Sequence, residues 1–366
     1  MIPFYDIKAE NKPYAAQFAK ELTLCMEHGQ FILGDAVKDF EMQYAAFCGT
    51  KHCVGVSNGL DALRLIFEGY KELGVLQEGD AVLVPAHTYI ASILAVIQSG
   101  LKPVFVEPEL SSFGMDILEA KQVTTSLVKA CLIVHLYGSL VNVELFQKFA
   151  KNNKLLLIED AAQAHGAIDA SGQKAGAIGN AAAFSFYPTK NIGALGDAGA
   201  VTTNNTDLNN AIRSIQNYGA AKKHQHDTLG FNMRLDNLQA RFLSIKLKDY
   251  PEAMKRRTQI AHGYSSSIKN PKITLPVHPN DDSHVFHLYV VRVGDRKGFV
   301  KYLNEEGIGN LIHYPIPPHK QKALSAFTNL TLPITEKYHE TVVSIPLYPS
   351  LSDESIQRII EVLNAY

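Results

Sequence analysis

Lys190 is the residue of this chain best placed to do covalent chemistry. It follows a short apolar stretch, 183–187, which predicts a buried strand, and Pro188 breaks that strand just before the lysine. Three glycines between positions 193 and 199 let the backbone pass close to a bulky ligand. A lysine held against apolar walls can lose its proton and form a Schiff base with a carbonyl. The alternative is an ordinary surface lysine, which the motif alone does not exclude.

Asp160 comes directly after a second predicted strand, 155–159, which opens with four consecutive large aliphatic residues. Such a run suits a strand of a parallel sheet, and open α/β sheets bind ligands at the carboxyl ends of their strands. A buried carboxylate needs a cationic partner. A protonated pyridine nitrogen would serve, and the ring would act as an electron sink. Gln163 could reach a ring oxygen if the chain turns helical after the strand. The alternative is that Asp160 caps a following helix.

A candidate phosphate site lies at Ser57-Asn58-Gly59, between a short predicted strand and a predicted helix. Apolar residues at 60, 63, 66 and 67 have helical spacing. The first turn of a helix leaves backbone N–H groups unpaired, and the helix dipole adds positive potential there, so this end can bind phosphate. Neither a GxGxxG nor a P-loop motif is present. An ordinary capped helix is the alternative.

Tyr89 follows a further predicted strand, 81–85, at another loop that leads into a helix. Its ring could stack on a flat heteroaromatic group. A buried core tyrosine is the alternative explanation.

The elements that must position these residues alternate along the chain from about residue 50 to 205. Strand patterns alternate with helical ones, which predicts an α/β fold with a mainly parallel sheet and helices on both faces. The predicted strands are 53–57, 81–85, 103–106, 130–135, 155–159, 183–187 and 199–203.

A second, smaller domain is predicted after the helical pattern of residues 205–249. The chain is expected to leave the first domain near Tyr250-Pro251, which divides it into residues 1–250 and 251–366. A strand at 284–291 marks the smaller part as α+β.

Composition narrows the possible partners. The chain has 366 residues, 46% hydrophobic residues and a formal charge of −1, so nothing favours nucleic acid or an anionic membrane surface. It shows neither a signal peptide nor a membrane span, and a cytoplasmic location is expected. The four cysteines form no CxxC pair and the 14 histidines no ligand spacing, so free thiols and no metal are expected.

Eight segments, in this order, resemble the DegT/DnrJ/EryC1/StrS family of pyridoxal-phosphate-dependent sugar aminotransferases, which share the aspartate aminotransferase fold (fold type I). The resemblance covers almost the whole chain. Only the combination is specific, above all the segments around Lys190 and Asp160. The segments are SNGLDAL, PAHTYIAS, VHLYGS, IEDAAQAHGA, AFSFYPTKNIGALGDAGAV, NYGAAKKHQH, FNMRLDNLQA and HYPIPPH.

The resemblance implies roles around the cofactor. Lys190 matches the lysine that binds pyridoxal phosphate covalently and moves the proton, and Asp160 matches the aspartate paired with the pyridine nitrogen. Gln163 corresponds to the residue beside the ring hydroxyl, and Tyr89 to a ring-stacking aromatic.

The resemblance also implies a phosphate site shared between two subunits. Ser185 matches a phosphate-binding serine, and Gly59 and Leu60 match positions whose amides hold the phosphate. Asn232 matches an asparagine that reaches the phosphate of the neighbouring subunit, so a homodimer with shared active sites is expected. The residues after Asn232 predict a helix start capped by Asp236, and the loop before this helix is expected to project outward.

The implied function is amination of a nucleotide-linked keto-sugar with L-glutamate as donor, through the pyridoxamine form of the cofactor. Several segments look most like members that act at C3 of dTDP-3-keto-6-deoxyhexoses. Amination at C4 is the alternative within the family. A non-catalytic regulatory or binding protein is the alternative of another class, against which the intact Lys190 and Asp160 argue.

The sugar nucleotide is expected to bind in a pocket built around Tyr187, the 218–226 loop and the 313–319 loop, where Tyr187 and His313 could touch the sugar. Basic side chains of the first loop could answer the diphosphate charge, although such runs usually face water. The candidate residues are Tyr187, Tyr218, Lys222, Lys223, His224, His226, His313 and His319.

Overall fold

A seven-stranded sheet organises the first part of the chain. The computed structural model describes residues 1–110, 112–222, 224–277 and 281–366. Strand β7 runs antiparallel to its neighbours β1 and β6, and all other pairs are parallel, in the order β1-β7-β6-β5-β4-β2-β3. The strands are β1 (His52–Val56), β2 (Ala81–Pro85), β3 (Lys102–Val106), β4 (Val128–Val134), β5 (Leu156–Asp160), β6 (Ala181–Ser185) and β7 (Gly199–Thr203). The mainly parallel sheet is confirmed, and each strand lies within two residues of its predicted bounds.

Helices cover both faces of this sheet. Val82 and Val84 of β2 pack into one apolar cluster with α4 and α5, while Leu83 between them packs into another with α6 and α7. This alternation follows from the two-residue period of a strand. The helices are α1 (Ile7–Asn11), α2 (Ala15–His28), α3 (Asp35–Cys48), α4 (Gly59–Glu72), α5 (Ile90–Gln98), α6 (Ile117–Val123), α7 (Val143–Asn153), α8 (Thr206–Ile215), α9 (Asn237–Ser267), α10 (Arg296–Glu305), α11 (Pro333–Thr341) and α12 (Asp353–Ala365).

The region from 205 to 249 is less uniformly helical than predicted. A two-stranded hairpin, β8 (Ala220–Lys222) and β9 (Gln225–His226), separates α8 from α9. Helix α9 then continues for 31 residues and includes Pro251. The predicted division of the chain near residue 250 therefore falls inside one helix, and it stays a prediction.

A second sheet is antiparallel and has three strands. Strands β10 (Ile273–Thr274), β11 (Tyr289–Val293) and β12 (Val342–Ile345) pair in chain order and pack with α10, α12 and the end of α9. The predicted strand at 284–291 is wrong in its start, because β11 begins only at Tyr289. Phe286 has a φ of +46°, which is incompatible with a strand, and its ring stacks on His284.

Two further features concern the membrane and the cysteines. In the parts of the chain that the structure describes, no helix is long and apolar enough to cross a bilayer. The four cysteines are buried free thiols: Cys25, Cys48, Cys53 and Cys131.

Candidate active site

Lys190 lies in a turn that follows β6. Its amide donates to the Tyr187 carbonyl oxygen (2.8 Å), and a hydrogen bond from the Ala194 amide to the Phe186 oxygen (2.8 Å) closes the loop at its base. The lysine side chain is half-buried. Burial lowers the pKa of Lys190 from 10.5 to about 8, although the Asp160 carboxylate raises it. The structure thus holds a lysine that is partly neutral near pH 7, as a nucleophile or proton carrier must be.

Asp160 is the last residue of β5 and lies opposite Ala183 of the parallel strand β6. Asp160 is 8% exposed. Oδ2 accepts a hydrogen bond from the Ser92 hydroxyl (2.6 Å), and Oδ1 accepts one from the Ala162 amide (3.2 Å). The residues after Asp160 form turns rather than a helix, so the helix-cap alternative is wrong.

The start of α4 faces Ser185 at the end of β6. A Cβ added to Gly59 would lie 2.8 Å from the Ser185 Cβ, so only glycine allows this approach. Asn58 caps the helix through its side chain, and among the described residues the amides of Gly59 and Leu60 donate to no protein acceptor. The Ser185 oxygen accepts from the Tyr187 amide (3.3 Å), which leaves its own hydrogen available. Two amides, a hydroxyl and the positive end of a helix fit a phosphate group.

Gln163 connects the turn after β5 to Tyr314 of the 313–319 loop. Its Oε1 accepts from the Tyr137 amide (2.5 Å), and its Nε2 donates to the Tyr314 hydroxyl (3.2 Å). The Tyr314 ring lies 5.1 Å from that of Tyr89, which is 53% exposed at the N-terminus of α5. Tyr89 therefore offers an open aromatic surface near the Asp160 side of the site.

The charge of Lys190 acts on three histidines, namely His165, His287 and His313. Burial, with the lysine charge as the next cause, lowers the pKa of His165 to about 3 and that of His313 to about 4. The same two causes lower the pKa of His287 well below its usual value. Its Nδ1 lies 3.2 Å from Oδ1 of Asn191, the residue after the lysine. These lowered pKa values favour neutral imidazoles at pH 7, so the three histidines add no positive charge beside Lys190.

The predicted sugar-nucleotide residues differ in their exposure and hydrogen bonds. Tyr187, Tyr218, Lys222, His224 and His226 are exposed. The Tyr187 backbone bonds to Lys190 and Ser185, whereas no hydrogen bond within the described residues joins Tyr218, Lys222, His224 or His226 to Lys190. Lys223 lies outside the described residues.

The two histidines of the 313–319 loop differ in position. His313 is half-buried, and its Nδ1 lies 2.8 Å from the Ser344 hydroxyl. His319 is fully buried, and its Nε2 lies 3.0 Å from Oε1 of Glu336, so it belongs to the packing under α11.

Asn232 is exposed, but the segment that carries it does not project freely as predicted. Asn232 pairs with Asn217 as an isolated bridge, and the adjacent Met233 amide donates to the Gln216 oxygen (3.0 Å). Asp236 precedes α9 as predicted, but its side chain makes no capping hydrogen bond. The Asn232 side chain is thus held at the surface by a paired backbone.

Comparison with known proteins identifies the family. The model described as "DegT/DnrJ/EryC1/StrS aminotransferase family" matches residues 13–364. The chain belongs to this family.

Individual DegT/DnrJ/EryC1/StrS aminotransferases match over the full length. The chain is 48% identical over 366 residues to a dTDP-3-amino-3,6-dideoxy-alpha-D-galactopyranose transaminase of Aneurinibacillus thermoaerophilus, covering 100% of this chain and 99% of that one. It is 39% identical to a dTDP-3-amino-3,4,6-trideoxy-alpha-D-glucose transaminase of Streptomyces venezuelae, covering 100% and 96%. The crystal structure of S. venezuelae DesV in complex with a ketimine intermediate superposes with a TM-score of 0.95 at 39% identity, covering 100% and 98%. The predicted fold is confirmed.

DegT/DnrJ/EryC1/StrS aminotransferases depend on pyridoxal phosphate, and the geometry above fits this cofactor.

Sequence reasoning missed several residues of the site, namely Ser92, Tyr137, Asn191, His287 and Tyr314. Four of them lie in segments that carry the family resemblance, so their position in those motifs was the available signal: Ser92, Tyr137, Asn191 and Tyr314. The contacts of His287 depend on the irregular backbone before β11, which was predicted as strand.

Proposed function

We propose that this aminotransferase converts a dTDP-linked 3-keto-6-deoxyhexose to its 3-amino sugar, with L-glutamate as the amino donor. The observation that carries the proposal is the full-length, 48% identity to a relative named for a dTDP-3-amino-3,6-dideoxy sugar. The second relative is also named for a 3-amino sugar. The half-buried Lys190 and the buried Asp160 support catalysis rather than a purely regulatory role.

Pyridoxal phosphate, when bound, carries the amino group from donor to acceptor, and its ring delocalises negative charge. Ser185 and the amides of Gly59 and Leu60 would hold the phosphate, while Asp160 would pair with the ring nitrogen. Nζ of Lys190 would take up the proton from the α-carbon of glutamate and later deliver one to C3 of the sugar. Its pKa near 8 suits both directions of transfer.

The nucleotide part of the substrate would lie toward the exposed side chains near the hairpin β8–β9. Lys222 and His224 are exposed there and would answer the charge of a diphosphate. Tyr187, which is 53% exposed three residues before Lys190, would contact the sugar together with His313.

A panel of sugar nucleotides tests this proposal. With L-glutamate, we expect the dTDP-linked 3-keto-6-deoxy sugar to react faster than its 4-keto isomer by at least about tenfold in kcat/KM, because pocket contacts discriminate by ~1–3 kcal/mol. The galacto isomer should exceed the gluco isomer, given the name of the 48% identical relative. Formation of 2-oxoglutarate and amino sugar, followed by mass spectrometry, measures this. Preference for a 4-keto substrate would favour the C4 alternative, and no turnover with any sugar would contradict the proposal.

The working unit would be a homodimer in which each subunit completes the site of the other. Phe31, Ile32 and Leu33 are consecutive exposed apolar residues, and Ile32 pairs with Asp236, four residues after Asn232. An exposed apolar patch beside a surface asparagine is the arrangement that a two-fold interface would cover. Asn232 would then reach the phosphate of the partner's cofactor.

Mixing two inactive variants tests the shared site. If Asn232 acts on the partner, a heterodimer of Asn232→Ala and Lys190→Ala chains has both lesions in one site and none in the other. Random mixing makes about half of the dimers heterodimers, so activity should return to about one quarter of wild type. If both residues act within one chain, mixing restores nothing beyond the average of the two homodimers. The Asn232→Ala homodimer must itself be impaired, and mass spectrometry must show the heterodimer.

A further inference from the structure

Ser92 makes the shortest hydrogen bond to Asp160 and lies in the first turn of α5. Its hydroxyl is 2.6 Å from Oδ2 of Asp160, although 68 residues separate the two in the chain. The side chain is 1% exposed, so no water competes for this contact. A second buried hydroxyl, that of Thr88, lies 3.0 Å from Ser92 Oγ.

The chemistry of these groups sets the direction of the hydrogen bonds. A carboxylate can only accept, so Ser92 must donate its single hydroxyl hydrogen to Asp160. Because that hydrogen is committed, Thr88 must be the donor in the contact with Ser92. A relay thus runs from Thr88 through Ser92 to Asp160, with every hydrogen aimed at the negative charge.

Two hydrogen bonds hold the Asp160 carboxylate from two directions. The Ala162 amide binds Oδ1 from the turn after β5, and Ser92 binds Oδ2 from α5. Helix α5 is itself fixed by core residues Ile93 and Val96, which are fully buried. Its N-terminal turn also adds positive potential beside Asp160. The carboxylate can therefore neither rotate freely nor move away from its position at the strand end.

We infer that Ser92 is a positioning residue that orients Asp160 toward the ring nitrogen of the cofactor. The inference rests on the proposed role of Asp160. Residue Tyr89, three positions earlier on the same turn, would lie against the ring face. One turn of chain, Thr88–Ser92, would then set both the stacking surface and the carboxylate.

Titration of the apoprotein with pyridoxal phosphate tests this inference, with a control on the same helix. Ser99 ends α5, is also 1% exposed, and its hydroxyl has no partner in the described residues 1–110, 112–222, 224–277 and 281–366. We expect Ser92→Ala to raise the Kd for pyridoxal phosphate about tenfold or more, since it removes a hydrogen bond to a charged group. Its kcat should fall while the KM for the sugar nucleotide stays unchanged. Ser99→Ala should match wild type in all three.

A double-mutant cycle separates positioning from a general structural effect. If Ser92 acts through Asp160, Ser92→Ala should change the Kd by less than about twofold in an Asp160→Ala background. Equal rises in both backgrounds, or no rise beyond that of Ser99→Ala, would overturn the inference. The proposed role of Asp160 fails separately, if Asp160→Ala itself binds the cofactor and turns over like wild type.

Discussion

Lys190→Ala is expected to lower the rate of transamination by at least about 10⁴-fold, because the variant loses both the covalent attachment point and the proton carrier. With a pKa of about 8, roughly half of the Lys190 side chains are neutral at pH 8, against about 0.3% for a lysine with the ordinary pKa of 10.5. Amino-group transfer from glutamate to the sugar nucleotide measures the loss. Borohydride reduction of the holoenzyme, followed by peptide mapping, should find the cofactor on Lys190.

Lys246 provides the matched control for this experiment. Burial also lowers the pKa of Lys246 to about 8, and both lysines line one cavity of about 280 Å³. The Lys246 ammonium donates to the Gly193 oxygen (2.7 Å), so it supports the loop rather than facing Asp160. Lys246→Ala should keep the label on position 190. A label on Lys246 in the wild-type protein would contradict the assignment of Lys190.

Asp160→Ala is expected to lower kcat on the order of 10²- to 10³-fold, because removal of one member of a buried charge pair leaves the other unpaired. The buried carboxylate is the only group proposed to pair with the ring nitrogen. Cofactor affinity should fall as well, and both quantities can be measured on the purified protein at saturating glutamate.

A structural carboxylate of equal burial distinguishes this effect from simple destabilisation. Glu107 is 8% exposed, as is Asp160, and it accepts hydrogen bonds from the amides of Ile334 (2.9 Å) and Thr335 (3.0 Å). Glu107→Ala should lower the melting temperature but leave kcat per folded molecule near wild type. If Asp160→Ala lost only thermal stability, as this control should, its proposed role would be wrong.

Local sequence patterns predicted the sheet and the residues at its strand ends. The strands are apolar runs closed by polar residues, and β5 and β6 release Asp160 and the Lys190 loop at neighbouring positions. The pairing of Asn217 with Asn232 and the start of β11 at Tyr289 were not predicted, because neither leaves a periodic signal in the chain. The same limit applies to contacts across long separations, such as the one between Gln163 and Tyr314, which are 151 residues apart.

The hydrogen bonds of Gln163 impose a polarity on whatever binds beside it. The Tyr137 amide can only donate, so it occupies the carbonyl oxygen of the Gln163 side chain, and the amide NH₂ faces the other way, toward Tyr314. One N–H of that NH₂ serves the Tyr314 hydroxyl, and its second N–H remains as a donor on this side. A ligand oxygen that approaches this side chain is therefore favoured in its deprotonated form. Gln163 would in this way favour the deprotonated form of an oxygen on the bound ring, and would not only fix the position of the ring.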